Sequence, residues 1–594
     1  MTRTNTGARP ACCRHVLAQL AIAWCIAAPL AKPDTVRLHV GDSFQDSVNA
    51  HTSYTVFLID SGVHRVQNVV PGMANSFVGD SGAVMSGARV LTDWVQRGHY
   101  WAHGGQTQPK TDYYGECEQG YESCIYPEDL YMDSEFMKRV LSLDEVTAGT
   151  WYLDYDKDSV YMADDPGGHV MEISTARRSF GGPALHVTVK NLVIEKYAAP
   201  SQRGAIDGDY PGDGWHIENC EVRLNHATGI QIRGRGAVIR NNYVHHNGQK
   251  GIGVLSGGDS CVIENNEIAY NNFLKSYSFG WEGGGVKVVW ASNVTIRGNY
   301  AHHNHGAGLW CDINCSRILY EANRCEYNAA EGIFHEISDT ATIRCNVVRF
   351  NASAIGANIQ VGTSSNTQVY GNVVEVSPDH GHGIIVVQID RENFLKTSRW
   401  HARNNYVMHN HVIYKGPGGT SGGYCEYGCD AFWESGGNTF DHNTYHLLDT
   451  AGAQRWTWND MDLTFAGMRA AGMETHGTVV TDTASLDSVP GCTSFADAKT
   501  PRHEPASAGK GLTLIRVRHD RGNKVVRASF SAPAAQPVNA VLYNSLGKLL
   551  LGKVCSPAGS HDISLNASEL PPGTYFLRVI APQRSTCVRV LIVR

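Results

Sequence analysis

Short runs of β-branched and aliphatic residues, each closed by an Asn-containing turn, recur through the middle of the chain. IENCEVRLNHATGI from Ile217, IRNNYVHHNGQKGI from Ile239, IENNEIAYNN from Ile263, IRGNYAHHNHGAGL from Ile296 and IRCNVVRFNASAI from Ile343 are versions of one phrase. One asparagine column runs Asn242, Asn266, Asn299, Asn323, Asn346 and Asn372, and a second runs Asn225, Asn247, Asn271, Asn304, Asn328 and Asn351. The steps are 22 to 26 residues, apart from one of 33 that contains FLKSYSFGWEGGG, residues 273–285. A period in the low twenties predicts one coil of a parallel β-helix, three short strands to the turn, with identical positions stacked on one another. Asn tolerates the left-handed backbone of a tight corner, and its amide can bond the Asn above and below. Helical repeats fit poorly, because Asn and Gly are abundant and no 3.6-residue period appears.

The pattern also divides the chain. The predicted β-helix spans 32–490, with VFLIDSGVHRV and SFVGDSGAVMSGARV as early coils. Residues 94–180 break the rhythm and read as an inserted small β-domain, where GTWYLDYDKDSVYMAD suggests a hairpin. WTWNDMDLTFAGMRAAGM, near residues 456–473, contains a short amphipathic helix able to cap the array. A polar linker, 491–511, leads to alternating strands over 512–594 that read as a C-terminal β-sandwich. The fold class expected is all-β.

Composition narrows the setting. Residues 1–31 read as a signal peptide: Arg3, Arg9 and Arg14 precede an apolar run from Val16 to Ala28, with small residues at Ala27–Ala31. That run is too short to span a bilayer, and Trp24 before Cys25 suits a lipoprotein cleavage site poorly. A secreted or cell-surface protein follows. The net charge of −7 and the lack of a basic run argue against a nucleic-acid partner. Thirteen of the 16 cysteines lie beyond the leader. Cys117–Cys124, Cys425–Cys429 and Cys555–Cys587 are near enough in sequence to pair, and no cysteine spacing forms a zinc set.

Two successive coils carry GLWCD and GIFHE. Asp312 lies eight residues after Asn304 and Glu336 eight after Asn328, so both acids occupy one column. Neighbouring strands are about 4.7–4.9 Å apart. Retaining glycosidases hold a nucleophile and an acid/base about 5–5.5 Å apart. Opposed like charges destabilise a sheet, and one acid keeping its proton relieves the repulsion and makes a general acid. A solvated surface pair or two ligands of a cation are the plainer alternatives. Alternation puts Trp310 and Phe334 on the outward face beside the acids, with Lys287 one coil earlier. Exposed aromatics there suit a sugar ring. Trp281 and Glu282 of the insertion, with Trp290, complete the expected substrate-binding set.

GLWCDINC followed by GIFHEIS resembles the right-handed parallel β-helix proteins of carbohydrate metabolism, in the pectate-lyase-like superfamily. The nearest pattern is that of β-helical glycoside hydrolases of the β-xylosidase type. There a Trp-x-Asp precedes a Glu by about one coil, and an inserted β-domain carries a phrase like GTWYLDYDKDSVYM. The resemblance implies Asp312 as nucleophile and Glu336 as acid/base. HEIS departs from the family context after the Glu, so substrate identity does not transfer. At the C-terminus, YNSLGK and PPGTYFLRV resemble the sorting domain of the type IX secretion system, which implies the secretion machinery as a partner.

Other signals are weaker. Asp207, Asp209 and Asp213 in DGDYPGDG offer hard oxygen ligands for a structural calcium, though such runs are commonly turns. His245–His246 and His302–His303 look turn-flanking, and His335 reads as pointing inward or supporting the acid. Three functions stay open: a retaining glycoside hydrolase; a polysaccharide lyase or epimerase using Lys287 and Arg233 on a uronate; and a non-catalytic glycan-binding surface protein. Two acids facing an acidic polymer repel it, which favours the hydrolase. A monomer with no cofactor is expected.

Overall fold

The computed structural model describes residues 33–110, 114–392, 399–448 and 453–482, together with backbone strands between 513 and 592. The proposed signal peptide and linker lie outside the described residues.

Among the described residues, three long parallel sheets run the length of the array, two of thirteen strands and one of twelve. Each coil contributes one short strand to every sheet, and hydrogen bonds run from coil to coil. This is a parallel β-helix. Its interior is made of aliphatic columns. On the first face Val189, Ile217, Ile239, Ile263, Ile296, Tyr320, Ile343 and Val369 pair in register. On the second face Ile194, Val222, Val244 and Ile268 do the same. All are buried. β-branched side chains fit this stacking because they lose little rotamer freedom on a pleated surface.

The corners need more than packing. Their backbone turns through left-handed residues at Asn241, Asn265 and His303, and the amides that follow are buried. The two asparagine columns answer this. Asn304 Nδ2 donates to Asn328 Oδ1 at 2.9 Å and to the Ile268 carbonyl at 2.9 Å, while its own Oδ1 accepts from the Asn271 N–H and Nδ2 at 3.0 Å each. The other column runs from Asn242 to Asn443 and ends on buried Glu474, whose Oε1 accepts from Asn443 Nδ2 at 2.7 Å. Both polar atoms of the buried Asn304 amide are thereby satisfied.

Departures from the repeat build the rest. Ala88–Leu91, Leu130–Met132, Glu135–Phe136 and Met171–Ser174 make a four-stranded sheet, and five strands between Val95 and Met162 make another. They share a separate core of Leu91, Leu130, Trp151, Met162 and Ile173. This unit is tied to the helix by Tyr131 Oη donating to the Leu224 carbonyl at 2.8 Å and by His226 against Asp129 at 3.0 Å. The 273–285 insertion reaches it through Tyr277 Oη, which donates to the Cys124 carbonyl at 2.5 Å. Disulfides join Cys117 to Cys124 and Cys425 to Cys429. Cys555 and Cys587 lie on C-terminal strands whose side chains are outside the described residues.

The short helix Phe465–Ala470 buries Met468 against the last coils, and Phe44–Ala50 buries Phe44 and Val48 at the other end. Residues 513–592 form separate antiparallel sheets of three and four strands.

Replacing Asn304 by Ala strands a buried N–H, two amide groups and a carbonyl. At about 1–3 kcal/mol for each unsatisfied group, partly recovered by water, the variant should lose roughly 3 kcal/mol in denaturant unfolding. A loss within 0.5 kcal/mol, about the level of an ordinary surface change, would remove the ladder as a source of stability.

Candidate functional site

The third sheet carries the carboxylate pair. Its strands Gly284–Val289, Ala307–Asp312 and Ile333–Glu336 pair in parallel, with Lys287 opposite Trp310, Trp310 opposite Phe334, and Cys311 opposite His335. Continuing that register by one residue sets Asp312 beside Glu336. Strand alternation sends Cys311 and His335 into the core, both fully buried, and turns Trp310, Asp312, Phe334 and Glu336 outward. His335 therefore serves the interior, where burial pushes its imidazole down to about 3 and keeps it neutral.

The outward residues form two adjoining columns. In one, the Lys287 ammonium lies 2.8 Å from the Trp310 ring centroid, and Trp310 stacks on Phe334 at 5.5 Å and 18°. In the other, Val289, Asp312, Glu336 and Gly362 follow one another. Lys287 crosses between the columns: its Nζ donates to Asp312 Oδ2 at 2.6 Å and supplies the counter-charge to that carboxylate. Among the described residues, Asp312 Oδ1 and Trp310 Nε1 are buried without a hydrogen-bond partner. Glu336 accepts from Arg391 Nη2 at 3.2 Å. The acids are 7% and 6% exposed. Burial first, and then the neighbouring Asp312 charge, push the Glu336 carboxyl up to about 7, against the opposing pull of Lys287 and Arg391.

Trp310 is 6% exposed, so the exposed aromatic expected from the sequence is corrected to a buried one. Lys287 covers one side, and Ala307, Ala330, Phe334 and Phe279 of the insertion enclose the remainder. Phe334 is half-buried. Trp281 packs edge-on to Tyr114 and stacks at 6.4 Å on Tyr277, the residue through which the insertion grips the small β-domain. Glu282 forms an ion pair with buried Lys250 and accepts from Gln202 Nε2 at 2.9 Å. Trp290 follows Val289 at the corner, left-handed at a φ of 56°, its N–H donating to the Ile313 carbonyl at 3.0 Å.

Three neighbours were not singled out from sequence. Phe279 arrives from the insertion and Arg391 from a late loop, so neither has a repeat position to betray it. Glu331 does have one. It stands in the column of Ala307, where a carboxylate breaks a run of small residues. It is 6% exposed, and burial, with Glu336 adding to it, pushes its carboxyl up to about 8.

The calcium reading is corrected. Asp207 and Asp209 both face Arg203, at 2.6 and 2.9 Å, and Asp209 also faces Arg178 at 3.5 Å. Asp213 Oδ1 accepts from the Arg235 N–H at 2.8 Å. Guanidinium groups occupy the position a cation would need. Arg233 lies 3.9 Å from Asp209 in the same cluster, away from the acids. The His245–His246 and His302–His303 pairs sit in an aromatic stack with Tyr270. Shallow hollows lined by Gln368, Tyr370, Tyr406 and Met408 belong to the first face, remote from the carboxylates.

Residues 209–374 match the family described as "Right handed beta helix region", and residues 523–594 match the "Secretion system C-terminal sorting domain". The chain thus contains a right-handed β-helix region and a C-terminal sorting domain, and the sorting domain marks a secreted or cell-surface protein. No curated protein sequence matches it. Among solved structures, "The complex structure of XylC with xylose" is similar at 14% identity and a TM-score of 0.55, covering 93% of this chain and 100% of that one. The A-module of the Azotobacter vinelandii mannuronan C-5 epimerase AlgE6 is similar at 14% identity and a TM-score of 0.43, covering 74% and 92%. A chain described as "Glycoside hydrolase" is similar at 10% identity and a TM-score of 0.36, covering 72% and 100%.

Raised proton affinity in the fold has a stability consequence of definite sign. Glu331 binds its proton up to about pH 8 when folded but only to about 4.3 when unfolded. Stability from this group is therefore fully present below the unfolded value and is lost as pH rises towards 8. Glu331→Gln should unfold at higher denaturant than the wild type at pH 8, by more than about 1 kcal/mol, since each tenfold in proton affinity is worth about 1.4 kcal/mol. At pH 4.5 the two should nearly coincide. An equal difference at both pH values would exclude the carboxyl as its source.

Proposed function

We propose that the protein is a secreted carbohydrate-active enzyme, a retaining glycoside hydrolase with Asp312 as nucleophile and Glu336 as acid/base. One observation carries the reading: two carboxyls lie in one column on successive coils, one beside an ammonium and the other holding its proton up to about pH 7. Strand spacing gives about 4.7–4.9 Å between such positions, close to the carboxyl separation of roughly 5–5.5 Å used by retaining enzymes.

The assigned roles follow from the environments. Protonated Glu336 donates its proton to the glycosidic oxygen as that bond breaks. Asp312 Oδ1, without a hydrogen-bond partner among the described residues, attacks the anomeric carbon and forms a glycosyl ester. The Glu336 carboxylate then takes a proton from water, whose oxygen displaces Asp312 and releases the sugar with its original configuration. Lys287 holds Asp312 in place through its hydrogen bond to Oδ2, leaving Oδ1 for the attack. Half-buried Phe334 presents apolar surface to the sugar ring, and the enclosed Trp310 backs it.

A neutral sugar suits the charges better than a uronate. The cations near the acids, Lys287 and Arg391, are both engaged by them, and an anionic substrate would meet the pair's own charge. The solved structure with the 0.55 TM-score is described with xylose, which makes a pentose-containing glycan the first substrate to try.

The test is sugar release from neutral and acidic plant and algal polysaccharides and from aryl glycosides. Wild-type activity should fall as pH rises past about 7, the value held by Glu336. Asp312→Asn should abolish turnover, and Glu336→Gln should reduce it by roughly 10²–10⁴-fold on substrates with poor leaving groups. Unsaturated, ultraviolet-absorbing products surviving both changes would replace the hydrolase with a lyase. Glycan binding without any product would make the protein a binder.

A further inference from the structure

The last two coils carry a cluster unrelated to the carboxylate pair. Strand Thr439–Asp441 ends on the first face, and His442 follows at the corner with a φ of 58°. Thirty-odd residues later the chain returns, and Thr475 and His476 lead into the second-face strand Thr478–Thr481. There Asp441, His442 and His476 each offer a ligand atom, all within 4.8 Å of one another. His476 Nδ1 lies 2.7 Å and His442 Nδ1 3.2 Å from the same oxygen, Asp441 Oδ2. The other oxygen, Oδ1, accepts the His476 and His442 backbone N–H groups at 2.7 and 2.9 Å. The imidazoles stack at 4.6 Å and 22°, and His409 of the preceding coil packs on His442 at 4.9 Å.

Two imidazole nitrogens converging on one carboxylate oxygen form a ligand set of His₂Asp type, the chemistry preferred by zinc and other borderline divalent ions. Backbone hydrogen bonds to Oδ1 fix the carboxylate and leave Oδ2 directed at both rings, the outer support that metal-binding carboxylates usually have. We propose that Asp441, His442 and His476 bind one zinc-type divalent cation, with water completing a tetrahedral site. With each ring proton on Nε2, neutral imidazoles coordinate through Nδ1. Modest side-chain motion brings the nitrogens from hydrogen-bond contact with Oδ2 to the separations required around a single ion.

The site's place in the fold gives it a purpose. It bridges the end of one coil to the segment entering the next, across a connection that includes the capping helix Phe465–Ala470. An ion there ties down the C-terminal end of the array, where a β-helix would otherwise fray. Metal that binds the folded chain alone raises its stability by RT ln(1 + c/Kd), with c the free metal concentration. The alternative is an Asp–His hydrogen-bond cluster with no ion, and it predicts no gain from metal.

The full chain, freed of metal by chelator, would be titrated with zinc chloride by calorimetry and then heated with and without zinc. The sequence has 27 histidines, so the site is read as a difference. Wild type should bind one zinc more tightly than His476→Ala and His442→Ala do, by roughly tenfold or more, the loss that even an outer-partner change produces. Zinc should raise the melting temperature of the wild type and not of the variants. His380→Ala, at a separate half-buried histidine, should behave as wild type. X-ray absorption of the one-zinc wild type should show nitrogen and oxygen neighbours with two imidazoles, a reading that does not depend on any variant folding. Zinc binding unchanged in both variants, absence of a saturable site, or a sulfur or all-oxygen shell would each overturn the assignment.

Discussion

Everything in this molecule depends on coils lying in exact register, and the buried amide columns enforce it. Aliphatic stacking alone favours burial but discriminates poorly between registers, because Ile on Val costs little more than Ile on Ile. A buried asparagine is different. Displaced by one position it would face an apolar neighbour with its amide unpaired, at a cost of about 1–3 kcal/mol for each group stranded. Asn242 through Asn443 form one unbroken hydrogen-bonded series, ended by Glu474. Such a series acts cooperatively, since each amide is both donor to the next coil and acceptor from the last.

Register then becomes chemistry. Once coils are locked, two acids at one repeat offset must face each other at strand spacing, whatever that costs. The structure offsets the cost in two ways. Lys287 sits in the neighbouring column and reaches across to Asp312, and Glu336 holds its proton. Paired carboxyls in unlike environments have unlike proton affinities, the condition for dividing acid and base roles between them. The same rigidity explains why Trp310 is enclosed: outward side chains in stacked coils lean on each other, and an insertion laid over them completes the cover.

What was legible in the sequence divides along the same line. The fold class and both asparagine columns were visible because a ladder demands the same residue at the same offset. The shared column of Asp312 and Glu336 follows from that count, whereas for His335 the sequence leaves an inward and an acid-supporting position open, and the structure turns it inward. Trp310 was placed in the right column but misjudged as exposed, since period says which way a side chain points and nothing of what covers it. Phe279 and Arg391 come from segments without a repeat position, and their approach is a tertiary fact. Glu282 stands out in the insertion, but its partner Lys250 lies a coil away in GQKG, where nothing in the sequence marks it. Asp207 and Asp209 suggest calcium in the sequence, but nearby Arg203 and the more distant Arg178 supply the charge that a calcium would have brought.

The residues flanking the acids show how the array tunes a site without abandoning its repeat. Val289 precedes Asp312 in the column and Gly362 follows Glu336. Neither offers a hydrogen bond from its side chain, so water is not replaced on either side, and the proton affinity of Glu336 rises chiefly through burial. Gly362 has a further effect. A Cβ there would lie 2.9 Å from Phe334 and 3.5 Å from Glu336, so its absence lets the aromatic ring and the acid share one level. A larger residue would push Phe334 off the stack on Trp310 or turn Glu336 from Asp312. The asparagines make the scaffold repeat, and the single places where outward columns change from small to charged or back to glycine make it specific.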